Sequence, residues 1–287
     1  MRRVSLSKLL MLGGALCFVA ALFGLNARRG DTGPTFPDTP QSEMPAVVVD
    51  EDERRMLDVD RRIFFKGIPT RNEVCITFDD GPHPLSCIDI LRTLKDKGVK
   101  AGFYVVGKQV DANPDLVREI AADGHELANH TYDHFRLDKL SKEEIISQIT
   151  QCDRAVEKAT GLKMNYFRPP GLRFNDDVIS VLRQRKLLMV HYMIGAKDFF
   201  GSTPEHELLP EAQKLPAVTP ENIVEYVVKQ LRPGGIILLH DNPVTAKALP
   251  ALIDAVRAKG YEFVTTEEML DRLDVPFHMK SNTVSPT

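Results

Sequence analysis

Asp79 and Asp80 stand side by side in Thr77-Phe78-Asp79-Asp80-Gly81-Pro82-His83, directly after the apolar run Val74-Cys75-Ile76. Neighbouring side chains at a strand end point in different directions. One carboxylate can then hold a metal while the other faces a substrate. The alternative is an Asp-Asp-Gly turn used only for its turn chemistry. In His130-Thr131-Tyr132-Asp133-His134, two imidazoles are spaced i, i+4. On one helical turn that spacing sets both on one face, able to chelate one ion. With a carboxylate from elsewhere the pair makes a two-His, one-carboxylate set, which leaves positions open for water and substrate; the alternative is an incidental pair. Arg168-Pro169-Pro170-Gly171, Asp198 and Leu238-Leu239-His240-Asp241 are the other polar clusters of note. His125 reads as structural and His83 as a hydrogen-bonding neighbour. His191, His206 and His278 read as ordinary.

These residues need elements to position them. From Gly67 onward, strand-like and helix-like stretches alternate. Residues 74–78, 101–106, 126–128, 166–168, 187–193, 236–239 and 262–265 read as strands. Helices are expected over 87–97, closed by Gly98, and over 114–123, opened by Asn113-Pro114. Ser141-x-x-Glu144 and Thr265-x-x-Glu268 are capping boxes, the first opening a helix to about Thr160. Asn175 caps a helix to about Arg185, Thr219-Pro220 opens another, and a further helix runs to about Ala258. Repeated strand–helix units imply a parallel sheet with helical crossovers. About seven units fit one α/β domain, a distorted (β/α) barrel of the TIM-barrel kind, better than two domains. Functional groups gather at the C-terminal strand ends of such a barrel. Asp79, Asp80, the histidine pair, Arg168, Asp198 and His240 all fall there.

The chain has 287 residues, 43% hydrophobic and 27% charged, the profile of a soluble globular protein. Its net charge of -3 gives no basic field for nucleic acid or an anionic membrane surface. Cys17, Cys75, Cys87 and Cys152 are too few and too widely spaced for a cysteine zinc site. A Cys87–Cys152 bridge stays open. Arg2, Arg3 and Lys8 precede an uncharged apolar run over 9–25, a basic region followed by a hydrophobic one. At about 17 residues the run is at the short end for a membrane span. Leu25-Asn26-Ala27 is a poor cleavage site and Gly14-Ala15-Leu16-Cys17 a poor lipobox, so residues 1–27 read as a signal anchor in preference to a cleaved signal peptide. A buried core helix is the alternative. Residues 28–66 read as a linker or tether. Within it Val47-Val48-Val49 offers a short edge strand, and 54–65 a helical stretch. The folded domain is expected over 67–275, with a disordered tail over 276–287.

The ordered set TFDDGPH, HTYDH, RPPG and LLHD resembles the polysaccharide deacetylase family, carbohydrate esterase family 4 or the NodB-homology domain. The similarity covers about residues 70–272, including Gly260-Tyr261-Glu262-Phe263-Val264. Any one motif is short; four in order, each at a strand end, are specific. The resemblance implies a metal-dependent hydrolase that removes N-acetyl groups from amino sugars of a polysaccharide, peptidoglycan or chitin-like N-acetylglucosamine oligomers. By position it makes Asp80, His130 and His134 the metal ligands, Asp79 the catalytic base, Arg168 the group that holds the base, His240 the catalytic acid and Asp198 its orienting carboxylate. One divalent ion is implied, zinc first, with cobalt, manganese or nickel as options. Chemistry agrees: a divalent ion acidifies water and polarises a carbonyl, Asp79 can take a proton, and His240 can protonate a leaving amine.

Pro170, Gly171, Phe199 and Leu238 are the expected substrate-binding residues, Leu238 lining a slot for the acetyl methyl. The family often has an aromatic where Gly171 stands. Its Asp-x-x-Asp-Trp motif is here Gly195-Ala196-Lys197-Asp198-Phe199. The chain has no tryptophan, so stacking on sugar rings must rely on Tyr and Phe. The stretch 200–218 is expected to be a loop shaping the groove. The expected partners are an N-acetylated glycan and, through the N-terminal segment, a membrane; nucleic acid is not among them, and the chain is expected to be a monomer outside the cytoplasm. Two rivals are a hydrolase of a small cyclic amide or ureide on the same scaffold and a non-catalytic glycan-binding module. The exported N-terminus argues against the first, and the acid–base pair against the second.

Overall fold

The computed structural model describes residues 56–199 and 218–273. These begin with a short antiparallel hairpin, β1 (Leu57–Asp58) and β2 (Ile63–Phe64). There follow β3 (Glu73–Asp79), α1 (Cys87–Lys97), β4 (Gly102–Val105), α2 (Gly107–Ala112), α3 (Pro114–Ala122), β5 (Glu126–Asn129), α4 (Lys142–Thr160) and β6 (Tyr166–Phe167). The remainder is α5 (Asp176–Arg185), β7 (Leu188–Val190), β8 (Ile194–Gly195), α6 (Pro220–Gln230), β9 (Gly235–His240), α7 (Pro243–Ala258), β10 (Glu262–Phe263) and α8 (Thr266–Asp271).

The sheet runs β1-β2-β7-β6-β5-β4-β3-β9-β8, with β10 beside the start of β3. Every pairing but β1–β2 is parallel. This curled sheet with its helices is the expected distorted (β/α) barrel. Only residues 191–193 separate β7 from β8, which lie toward opposite ends of the sheet order. The chain itself thus bridges the gap where a closed barrel would carry ladder hydrogen bonds. The strand expected over 187–193 accordingly ends at Val190, and β8 begins beyond it at Ile194.

Period-two alternation divides the core. Val74, Ile76 and Phe78 of β3 pack in one cluster with Leu91 and Leu94 of α1 and Leu249 and Leu252 of α7. Cys75 packs in another with Tyr104, Tyr166 and Ile236. Helix ends follow the cap chemistry. Ser141 and Thr265 form full capping boxes, and Asn175 and Thr219 accept from Val178 and Asn222 N–H. Gly98 closes α1 at φ 61°. Asn113 departs from expectation: its side chain donates to Pro82 and Gln109 carbonyls instead of capping α3.

The stretch 54–65, expected to be helical and part of a linker ending at 66, is corrected by the hairpin. β2 adds parallel to β7, and Ile63 and Phe64 are fully buried. The strands are two residues each, too short for a period to be read, and the parallel partner of β2 is β7, more than a hundred residues away; Arg62, just before β2, likewise donates through Nε to Leu187 O at 2.8 Å. Cys75, Cys87 and Cys152 are free, buried thiols, so Cys87 and Cys152 are not bridged. Among the described residues no helix is long and apolar enough to cross a membrane. The apolar run 9–25, Cys17, the tether up to 55, the loop 200–217, His206, His278 and the expected tail lie outside the described residues.

Candidate metal and acid–base site

β3 and β9 are paired along their lengths, and their register sets Asp79 directly opposite His240. Adjacent strands lie about 4.8 Å apart, so the two side chains leave the sheet as neighbours. β4 and β5 continue the row. His130 immediately follows β5, and Arg168 immediately follows β6.

Asp79 is buried. Its Oδ1 accepts from Arg168 Nη1 at 2.7 Å. The same nitrogen donates to Thr77 Oγ1 at 3.0 Å, while Arg168 Nε donates to Val190 O at 3.0 Å and Nη2 to His191 O. The guanidinium carbon lies 3.9 Å from the centre of the Tyr104 ring. Burial alone would lower the Arg168 pKa, but Asp79 more than offsets this and raises it. Oδ1 of Asp79 is thus occupied by the guanidinium, and Oδ2 lies 3.6 Å from His130 Nε2.

Asp80 follows with a left-handed backbone, at φ 74°. Its Oδ1 lies 3.4 Å from His130 Nε2 and 3.1 Å from His134 Nε2. The ligand atoms of Asp80, His130 and His134 lie within 4.8 Å of one another, and among the described residues this is the group able to hold a metal ion. His130 Nδ1 is 2.7 Å from Arg168 O, a bond that places its proton on Nδ1 and leaves the Nε2 lone pair toward Asp80. Asp80 Oδ1 is buried and makes no hydrogen bond. An orphaned carboxylate oxygen with two imidazole nitrogens aimed at it fits a divalent cation of the zinc type.

The histidine pair converges without the helical turn expected from its spacing. Residues 130–134 form a loop, with Thr131 at φ 69° and His134 at φ 61°. Two left-handed residues fold the loop back so that both rings meet, with centroids 5.0 Å apart.

His240 completes the site. Its Nδ1 is 2.8 Å from Asp198 Oδ1 and its backbone N–H donates to Asp198 Oδ2 at 2.7 Å. Thr245 Oγ1 donates to that oxygen at 2.6 Å, and Asn242 Nδ2 to the Asp198 carbonyl. Burial would lower the His240 pKa; Asp198, by charge and hydrogen bond, with Asp80 and Asp79 behind it, lifts it to about 9. Sequence reasoning missed Thr77, Tyr104, Asn242 and Thr245. Thr77 was findable as the residue on the same strand face as Asp79, and Thr245 as the third residue after the Asn242 cap; Tyr104 carried no signal beyond its place in a strand.

Of the expected substrate-binding residues, Gly171 is exposed, Leu238 is partly buried, and Phe199 is 45% exposed with its ring 5.9 Å from that of His240. Pro170 is buried, next to the turn that Gly171 makes at φ 60°. His125 is structural, its Nδ1 accepting Ala101 N–H at 3.2 Å. Asp241 lies behind the site, holding His83 N–H and Ser86 Oγ.

Residues 66–190 match the family model described as polysaccharide deacetylase. A peptidoglycan-N-acetylglucosamine deacetylase of Bacillus cereus is 32% identical over 201 residues, 69% of this chain and 87% of the relative. A chitooligosaccharide deacetylase of Bradyrhizobium is 31% identical over 205 residues, 66% of this chain and 86% of the relative. Among solved structures, a Bacillus anthracis protein described as a CE4 family pseudoenzyme is similar at a TM-score of 0.65 and 26% identity, covering 73% of this chain and 69% of that one.

Proposed function

The chain belongs to the polysaccharide deacetylase family and is a hydrolase that removes N-acetyl groups from carbohydrates; we propose that its substrate is an N-acetylglucosamine glycan, peptidoglycan or a chitin-like oligomer, and that it works with one divalent metal ion. The observation that carries the reading is the Asp79–His240 register pair, a held carboxylate beside a charged imidazole, next to the Asp80, His130 and His134 cluster.

Asp80, His130 and His134 would hold the ion, zinc by the nature of the donors, and when bound it would acidify a water and polarise the acyl carbonyl. Asp79 takes the proton of the attacking water on Oδ2, since Arg168 occupies Oδ1. Arg168 holds that carboxylate in place. His240, charged through Asp198, donates its Nε2 proton to the leaving amine. Backbone N–H near Gly171 faces the developing oxyanion, and Leu238 and Phe199 line the acetyl methyl and sugar. The two relatives suggest N-acetylglucosamine glycans as substrate, and the basic, apolar N-terminus suggests a tether outside the cytoplasm. That tether predicts that the full chain fractionates with membranes and that a chain lacking residues 1–27 does not.

Similarity to a pseudoenzyme gives the non-catalytic reading a place in the test. Chelation of the purified chain should abolish acetate release from N-acetylglucosamine oligomers, and added zinc or cobalt should restore it. Glycan binding with no acetate release under any metal would favour a binding module; hydrolysis of a small cyclic amide in its place would favour the other rival.

A further inference from the structure

The loop between the two candidate ligand histidines is held by side chains where a helix would use its own backbone. Thr131 N–H donates to Asn129 Oδ1 at 2.8 Å, and His134 N–H to Thr131 Oγ1 at 3.1 Å. The N–H groups of Tyr132 and Asp133 both donate to one oxygen, Oε1 of Gln148, at 3.2 and 2.8 Å. Gln148 Nε2 donates in turn to Asp133 Oδ2 at 2.7 Å. From the other side, the first residues of α2, Gly107 and Lys108, donate backbone N–H to the carbonyls of Thr131 and Tyr132, and the Lys108 ammonium pairs with Asp133.

Gln148 lies in α4 and is only 7% exposed. A buried amide is costly unless it is hydrogen-bonded, and every bond of this one goes to the ligand loop. The loop needs such support. Thr131 and His134 both hold left-handed backbone, a conformation non-glycine residues keep only where the surroundings enforce it. Resting on the metal reading of Asp80, His130 and His134, we propose that Gln148 is a positioning residue for the ion. It pins the two amides between the strained positions and so keeps His134 Nε2 beside Asp80 Oδ1.

The test measures zinc affinity of the full chain by chelator competition, with amide exchange at Tyr132 and Asp133 in the metal-free protein. Gln148→Leu should speed both amides and weaken zinc binding about 10–100-fold, as loss of a ligand's supporting partner does. The double variant D133N/Q148E exchanges donor and acceptor between the two side chains and keeps an oxygen acceptor on both N–H groups; it should restore affinity to near wild type. A folded Gln148→Leu protein that binds zinc as tightly as wild type, or a double variant as weak as Gln148→Leu, would overturn the proposal. If Gln148→Leu does not fold, Q148E replaces it. Q148E sets two carboxylates together and must bind zinc more weakly than the double variant, and equal affinities again overturn the proposal. A wild-type chain that takes up no zinc contradicts the metal reading as well, whereas an unaffected Gln148→Leu protein on a zinc-binding wild type contradicts only the role of Gln148.

Discussion

Asp198 grips His240 by side chain and backbone at once, and this decides the charge of the acid. With its pKa near 9, His240 is protonated at neutral pH and loses its proton only as pH rises through that value. The deacetylation rate should therefore fall above about pH 9. Asp198→Asn removes the charge that lifts the imidazole, so the alkaline limb should move toward the ordinary histidine range of about 6.5. A pH–rate profile checks this, and an unmoved limb would deny Asp198 its role. The raised value also favours the fold. That contribution is complete below the unfolded histidine pKa and is lost as pH rises through about 9. Arg168 is the partner of a buried carboxylate. Arg168→Met should lower stability by about 3–5 kcal/mol, the cost of stranding a buried charge. Denaturant unfolding measures it, and a loss under about 1 kcal/mol would show that Asp79 does not depend on the guanidinium.

At the scale of elements, strands followed by capped helices were legible because their signals are local. The Cys87–Lys97 helix with Gly98, the Ser141 and Thr265 boxes and the Asn175 cap stand where cap chemistry puts them. The strand-end placement of Asp79, Asp80, Arg168 and His240 was legible for the same reason. What was not legible is non-local. The β1–β2 hairpin is defined by pairing with β7, and the 131–134 loop by Gln148 and α2, none of which a short window contains. The histidine spacing accordingly pointed to a helix when the ligands sit on a folded-back loop. The hairpin carries its own prediction. Phe64 is fully buried in the cluster that holds Cys75 and Tyr104, so Phe64→Ala should cost about 3–5 kcal/mol by the cavity rule, read as a lower denaturant midpoint. A near-neutral change would return this stretch to the linker.

At the scale of the molecule, two buried histidines respond to pH in opposite senses. His125 is buried with Nε2 unpartnered, and burial lowers its pKa to about 4. Below pH 6.5 the unfolded chain takes up a proton that the folded chain refuses, so stability declines from there down to about pH 4, by about 3 kcal/mol in total. His125→Asn should flatten that decline in unfolding experiments at stepped pH. The central claim concerns the division of labour between the paired aspartates, one for the ion and one for the proton. It is tested most directly by measuring acetate released from N-acetylglucosamine oligomers and peptidoglycan by the wild-type chain and by Asp79→Asn, with bound zinc determined on both. The wild type should release acetate, and Asp79→Asn should lose turnover by at least about 100-fold with zinc still bound. Undiminished turnover by Asp79→Asn, or no acetate from a zinc-loaded wild type, would contradict it.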